Sequence, residues 1–351
     1  MKTTISKMML LLCISAFLIS CKKTKSDEPA VSKKRYILSV EYNNATGVAS
    51  TKYYVNNTAT VIGNPTTEKI YGEDLEVSGS DVYVLASRQQ PSSSGYSAVI
   101  YKNGAELQAI PHVAGIYYNC LAVSGNDIYL AGYEYPNSGV PKIIQWKNGT
   151  VTSLTSNTGA NATDARPFDM VVAGNDVYIA GYETSSSSPY NRLPKYWKNG
   201  VAVAFTSDAG TNSEVHRIVV NGTDVYGSGK ENGKPVLWKN NNKTVLSNAE
   251  GWSYGLAVSG NDVYTAGAVS TGSNIYNATS WKNGAQTMLS NSTAQGVVSV
   301  YGIGVDGDDV YVIGSYPISN GSSPVYWKNG VINELPSTAG TNAYAYRLVI
   351  K

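Results

Sequence analysis

The amino-acid sequence predicts an all-β protein built from a recurring four-stranded unit, and three observations carry that expectation. First, two short phrases alternate along the 351 residues. Gly-(Asn/Asp/Ser/Thr)-Asp-(Val/Ile)-Tyr is centred on Asp81, Asp127, Asp176, Asp224, Asp262 and Asp309, at intervals of 46, 49, 48, 38 and 47 residues. Trp-Lys-Asn-Gly or a close variant begins at Tyr101, Trp146, Trp197, Trp238, Trp281 and Trp327, with a degenerate copy at Tyr54-Val55-Asn56-Asn57. A period of this length marks a repeat architecture. Second, each phrase lies between β-forming runs, and no stretch has helical periodicity; Asn-Gly between such runs is a strong hairpin signal because both residues accept positive φ. Third, the two ends of the chain are complementary fragments of one unit. Together these predict a seven-bladed β-propeller of four-stranded blades, closed by a blade shared between the N- and C-termini.

The first residues lie outside that pattern. Lys2 and Lys7 precede a short apolar run, Met8 to Leu18, that is too short to span a bilayer comfortably. The run ends in Leu18-Ile19-Ser20-Cys21, which resembles a bacterial lipobox. That resemblance implies removal of residues 1–20 and addition of three acyl chains at Cys21, hence firm membrane anchoring where one chain alone would bind only marginally. Lys22 after the cysteine implies, by the same resemblance, an outer-membrane destination facing the periplasm or cell surface. Residues 21–32 read as the lipidated cysteine and a polar tether, and Ser26-Asp27-Glu28 faintly resembles the acidic surface-export tag of Bacteroidota lipoproteins.

Residues 33–351 read as a single domain. The best-written unit runs from Asp169 to Phe205: strand A before the Gly-Asn-Asp turn, strand B after it, strand C ending in Trp-Lys, and strand D after Asn-Gly. Arg35–Glu41 aligns with strand B although no strand A precedes it, and Tyr344–Ile350 aligns with strand A. Six whole units and one shared unit give seven blades of about 46 residues, the length of one such repeat. Closure would remove two unpaired sheet edges.

Residues that recur in every copy are those every copy needs for folding. The turn Asp is expected to cap its own turn by an Asx-type bond rather than to build a calcium loop, which needs six to eight oxygens. The Trp of each unit is expected to pack between blades, with a ring of sugar-binding tryptophans as the alternative. Cys120, inside an apolar strand phrase, reads as a small core residue.

The joint recurrence of both phrases over residues 33–351 resembles the Trp-Lys-Asn-Gly repeat lipoproteins of Bacteroidota, which implies a propeller fold and leaves the activity open. The fourth unit departs from it, being shorter and reading Trp238-Lys239-Asn240-Asn241. The signature pairs of WD40 and kelch repeats and the Asp-box of sialidases are missing.

Function is expected where the copies differ. The B–C and D–A loops vary in length and content, so the face they share is the candidate binding face. Eight residues before each turn Asp stand Glu73, Asn119, Phe168, His216, Tyr254 and Tyr301, with Tyr346 as their counterpart in the shared unit. Seven before stand Asp74, Cys120, Asp169, Arg217, Gly255, Gly302 and Arg347. The polar and aromatic members of both series are expected to ring the channel mouth and bind a sugar or small polar ligand, since aromatics stack and Arg forks onto carboxylates.

Without Lys2 and Lys7 the basic and acidic side chains balance at 25 each, which argues against nucleic acid as a partner. With only His112 and His216, no multi-histidine metal centre is expected. No nucleophile elbow or phosphate loop appears, and no cofactor or metal is expected. The reading is a monomeric, envelope-anchored binding or scaffolding module for a glycan or an envelope protein. The alternative is a propeller-fold glycoside hydrolase or lyase, with His216, Tyr254 and Arg217 abstracting a proton or Asp74 and Asp169 as a carboxylate pair.

Overall fold

In the computed structural model, residues 33–43, 45–89, 95–135, 141–154, 164–185, 191–272, 275–289 and 298–351 are described. The expected signal segment, Cys21, the expected tether and parts of the variable loops lie outside them. The described residues form 28 strands and no helix. Five four-stranded sheets each run in the order A, B, C, D with antiparallel neighbours, as in Ala165–Ala173, Asp176–Thr184, Arg192–Lys198 and Val201–Ala204. The remaining eight strands form two such groups. One holds Ser299–Asp306, Asp309–Ile318, Gly321–Lys328 and Val331–Glu334; the other holds Thr341–Ile350, Arg35–Asn43, Val48–Val55 and Thr58–Ile62. A single parallel bridge, Ser322 to Asn342, joins them into one sheet.

The C-terminal strand pairs antiparallel with the N-terminal one from Arg35–Ile350 to Asn43–Thr341. Where every other unit has an A–B turn, this pair is finished by Lys34 and Lys351. Lys34 donates its backbone N–H to Lys351 O at 2.6 Å, and Lys351 N–H donates to Lys34 O at 3.0 Å. Strands A of successive groups pack side by side, and Thr341–Ile350 packs beside both Ser299–Asp306 and Ile70–Ser78.

The Trp-Lys-Asn-Gly phrase forms the C–D hairpin. Asn103, Asn148, Asn199, Asn283 and Asn329 have φ of 46–53°, and the glycine after each is also positive, at 82–101°. This two-residue turn matches the twist of the strands it joins. In the fourth unit a second such turn, Asn232-Gly233, directly connects strands B and C, which accounts for the shortened repeat.

The turn Asp does not cap its own turn, contrary to expectation. Asp81 Oδ1 accepts from Asn103 Nδ2 at 2.8 Å and Oδ2 pairs with Lys102 Nζ at 2.8 Å, while Asn103 Oδ1 accepts the Val82 N–H at 2.9 Å. The same three contacts recur at Asp127, Asp176, Asp224, Asp262 and Asp309. Each lysine also lies over the Tyr of Asp-(Val/Ile)-Tyr, 4.8–5.6 Å from the ring centroid. The two phrases are thus halves of one latch between the A–B and C–D turns, which is why they recur together. A calcium role for this Asp does not survive, because Lys and Asn occupy the carboxylate.

Trp146, Trp197, Trp238, Trp281 and Trp327 are at most 3% exposed. Each packs against the preceding unit: Trp197 lies with Cys120, Ala131 and Ile143, and Trp238 with Tyr178, Ala180 and Phe205. They fill the wedge between sheets and cannot form a sugar-binding ring.

Candidate functional site

Every strand A carries one extra residue at the same place. In the first complete unit Gly72 pairs with Ala86 and Asp74 with Leu85, so Glu73 is left over in a β-bulge. The left-over residues in the other units are Asn119, Phe168, His216, Tyr254, Tyr301 and Tyr346. These are the six residues singled out eight positions before the turn, together with Tyr346, their counterpart in the shared unit. A bulge re-aims its side chain and bends the strand. It also brings backbone close to the partner strand, and five of the seven units have glycine there, with Ala86 and Ser39 in the other two. A Cβ on Gly181 would sit 2.0 Å from Arg166 O, and one on Gly132 would sit 1.9 Å from Tyr117 O.

A cavity of about 540 Å³ opens at the B–C and D–A ends of the strands. Glu73, Asn119, Phe168, Tyr301, Tyr346 and Arg217 line it, six of the predicted site residues. Tyr42, Tyr71, Tyr96, Tyr117 and Ser87 complete the wall and were not singled out in the sequence. Tyr71 and Tyr117 stand ten residues before their turn Asp, one further step of the strand's two-residue alternation, so the signal was present. Tyr42 and Tyr96 sit at the B–C ends of their strands, where the repeat pattern fades.

The rings make a nearly continuous surface. Tyr96, Tyr71, Tyr42 and Tyr344 follow one another at centroid distances of 5.7–6.0 Å, and Tyr346 contacts Tyr344 and Tyr301 at 5.9 and 4.9 Å. On the other side His216 is stacked between Phe168 and Tyr254, at 4.0 and 3.9 Å. Tyr254 and Trp252 line a smaller cavity of about 290 Å³ with Tyr301. The His216 Nε2 contacts Glu214 Oε2 at 2.8 Å. Burial pushes the imidazole below its ordinary pKa against the pull of Glu214, so the ring is neutral near pH 7 and donates to the carboxylate. Burial works against Glu214, yet the His216 bond, Lys230 and Arg192 hold it down at about 2. Burial raises the Tyr254 phenol. His216 and Tyr254 therefore form a stacked wall, with the Nε2 of the imidazole already engaged.

The residues seven before the turn lie deeper than a solvated mouth. Asp74 and Asp169 are 4% and 3% exposed, and Cys120 is fully buried. Arg347 reaches Asp169 Oδ1 at 2.6 Å and pairs with Asp74 Oδ1 through Nε at 3.0 Å, without hydrogen-bond alignment in the second case. Arg217 Nη1 lies 3.7 Å from Asp169, and its Nη2 donates to Tyr346 O at 3.2 Å. The remaining Asp oxygens strap neighbouring units: Asp74 Oδ2 accepts Leu121 N–H at 2.8 Å and Asp169 Oδ2 accepts Ile218 N–H at 2.9 Å. Asn119 donates to Pro167 O of the next unit at 2.7 Å. Two arginines and two aspartates so form a charge-balanced floor beneath the cavity. Burial raises Asp74 to about 6 against the opposing charge of Arg347. Glu73, on the wall, is pushed up to about 7, by burial first and by the Asp74 charge, against a hydrogen bond from Ser87.

No protein-family model matches the sequence, and neither does any curated protein. Solved structures do. The chain is similar to a puromycin-hydrolyzing peptidase of Mycobacterium tuberculosis, with a TM-score of 0.57 and 12% identity over 87% of this chain and 53% of that one. It spans about half the length of that protein. It is also similar to the β-propeller domain of the Trilobed protease from Pyrococcus furiosus, which has an open velcro topology: TM-score 0.54, 10% identity, 87% of this chain and 95% of that one. An acylaminoacyl peptidase in complex with Z-Gly-Gly-Phe-chloromethyl ketone gives a TM-score of 0.50 at 10% identity, over 87% of this chain and 51% of that one. At such identities the likeness is one of fold: the chain is an all-β protein of propeller architecture.

Proposed function

We propose that this chain is a seven-bladed propeller, closed by the unit that Thr341–Ile350 shares with the N-terminal strands, and that it is held at the bacterial outer membrane by lipid on Cys21. On this reading it is one of the Trp-Lys-Asn-Gly repeat lipoproteins of Bacteroidota, and it binds a glycan in the cavity at the strand ends. The observation that carries the binding role is the bulge series. The same backbone irregularity is kept in every copy while its side chain changes, which is how a rigid scaffold presents a ligand set. The set is suited to sugars: flat rings for stacking on C–H faces, with Glu73, Asn119 and Arg217 for hydroxyl and charged groups.

Closure is supported by the backbone pairing of Lys34 with Lys351 and by the contacts of Thr341–Ile350 on both sides. The anchor is supported by Leu18-Ile19-Ser20-Cys21. A glycan array and calorimetry with envelope and plant polysaccharides test the binding role. Saturable binding without turnover, lost in Tyr71→Ala and Tyr301→Ala, is the expected result. Failure of all glycans, with one stoichiometric protein recovered by cross-linking in native membranes, would replace the glycan by an envelope protein. Recovery of Cys21→Ala in the membrane fraction would remove the anchor.

A hydrolase or lyase reading has one observation in its favour, the raised carboxyl of Glu73, which suits a general acid. Asp74 and Asp169, the pair that reading would use, are occupied by Arg347 and backbone N–H groups. Release of reducing ends that stops in Glu73→Gln would establish it.

A further inference from the structure

The charges around the cavity do not cancel once the Glu73 carboxyl ionises, which in the free protein happens at about 7. In its floor Arg217 and Arg347 face Asp74 and Asp169, two of each sign. Glu73 stands outside that account. Among the described residues no basic side chain lies within ion-pair distance of it; its partner is the Ser87 hydroxyl, and its charged neighbour is Asp74, of the same sign. Glu73 shares the cavity wall with Tyr42, Tyr71, Tyr96 and Tyr117. Tyr71 lies between Tyr42 and Tyr96, tilted 42° to the first and 76° to the second. Rings set at such angles around one space present both faces and edges to it.

From this arrangement we propose that the cavity is selective for an organic cation: the protonated amine of an amino sugar, seated among the tyrosine rings with its charge on Glu73. Aromatic faces attract an ammonium group through the ring quadrupole, most strongly when both are desolvated. A carboxylate in the same enclosure supplies the charge-assisted bond that a neutral hydroxyl cannot. The bound amine supplies the counter-charge the wall lacks, and the neighbouring hydroxyls of the sugar fall to Asn119 and Arg217. This inference rests on the glycan-binding reading and narrows it to glycans carrying free amino groups.

The test compares glucosamine oligosaccharides with their N-acetylated counterparts by calorimetry near pH 7, where the Glu73 carboxyl ionises, for the parent chain and for Glu73→Gln and Tyr71→Leu. Both variants are first checked for a cooperative melt and the circular-dichroism spectrum of the parent. Tetramethylammonium chloride against sodium chloride at equal ionic strength, read by saturation-transfer NMR on the methyl signal, is the arm without a sugar. The expected result is at least tenfold tighter binding of the free amine than of the amide. Glu73→Gln removes that preference, and Tyr71→Leu weakens the free amine and tetramethylammonium together. Equal binding of amine and amide, unchanged in Glu73→Gln, overturns the cation preference and leaves the glycan reading in place. Binding of tetramethylammonium while every oligosaccharide fails upholds the cation cage and overturns the glycan reading. Failure of all probes overturns both.

Discussion

Asn199 holds Asp176 and the backbone of Val177 at once: its Nδ2 donates to Asp176 Oδ1 at 2.7 Å and its Oδ1 accepts the Val177 N–H at 2.9 Å. It does so from φ of 49°, a left-handed conformation that costs most side chains but that Asn tolerates. One residue therefore serves as turn former and as bond between two hairpins. Separating the two roles gives a prediction. Asn199→Gly keeps the turn and loses the bonds; Asn199→Ala loses both. The alanine variant should be less stable than the glycine variant by about 1–2 kcal/mol, the cost of the left-handed conformation with a Cβ, in urea denaturation at equal m-values. Equal stability would mean that the turn relaxes and the latch alone matters.

Among the described residues, Arg347 is the one side chain that pairs with both floor carboxylates, each buried. Removing one partner of a buried pair leaves an uncompensated charge, typically about 3–5 kcal/mol of destabilisation. Arg347→Leu should show a loss of that order, and Asp169→Asn in the Arg347→Leu background should recover part of it, because the second change removes the charge left unpaired. Additive losses in that double-mutant cycle would show that the floor is not electrostatically coupled.

Much of this molecule is written in its repeats. The hairpin at Asn199-Gly200, the buried Trp197 and the pairing of Arg35–Asn43 with Thr341–Ile350 follow from phrases that the chain states several times. Counting back from the turn Asp reached six bulged residues, because an insertion present in every copy leaves the spacing intact, and aligning the shared unit added Tyr346. The bulge itself was not read. Its mark in five of the seven units is a glycine across the strand pair, as at Gly132 and Gly181, where a Cβ would strike a carbonyl oxygen. What Asp176 does was misread for a physical reason: local spacing suggests a bond two residues on, whereas Lys198 and Asn199 arrive through tertiary structure and outcompete it. The site was legible where strand periodicity holds, as at Tyr301, and not at Tyr42 and Tyr96, which belong to strand ends outside the phrases that recur.

Glu73 makes stability depend on pH in an unusual direction. Its carboxyl titrates at about 7 in the fold against 4.5 ordinarily, so between those values the folded protein retains a proton that the unfolded chain has released. The unfolded state then binds fewer protons, and stability falls as pH rises through that window. The groups around it reinforce this. Asp74 beneath it is raised to about 6 from 3.8, with the same sign, and the phenols of Tyr42 and Tyr346 are raised, hence uncharged across the window. Arg217 and Arg347 stay cationic and face Asp74 and Asp169. Glu73→Gln should gain stability relative to the parent as pH is raised from about 5 to 8, read from denaturation midpoints at each pH. A parent and variant that track one another over that range would place the Glu73 carboxyl in water.

Lys34 and Lys351 exchange both backbone hydrogen bonds, at 2.6 and 3.0 Å, in the position where the other units have a covalent A–B turn. The ends are thus already as close as a turn requires. A permutant that joins Lys351 to Lys33 by a short Gly-Ser linker, with new ends opened between Thr150–Ser153 and Ala165–Ala173, replaces that pairing by a covalent turn like the other six. Because the linker adds little loop entropy, the permutant should fold to the same circular-dichroism spectrum and melt within a few degrees of the parent. Deleting residues 341–351 should act very differently. It strips strand A from Arg35–Asn43 and exposes Ile37 and Leu38, both fully buried, along an unpaired edge. It also removes Arg347 from Asp74 and Asp169. The truncated chain should aggregate or lose its cooperative melt. A truncation that melts like the parent would show that the C-terminal strand is dispensable and that the ring does not close through it.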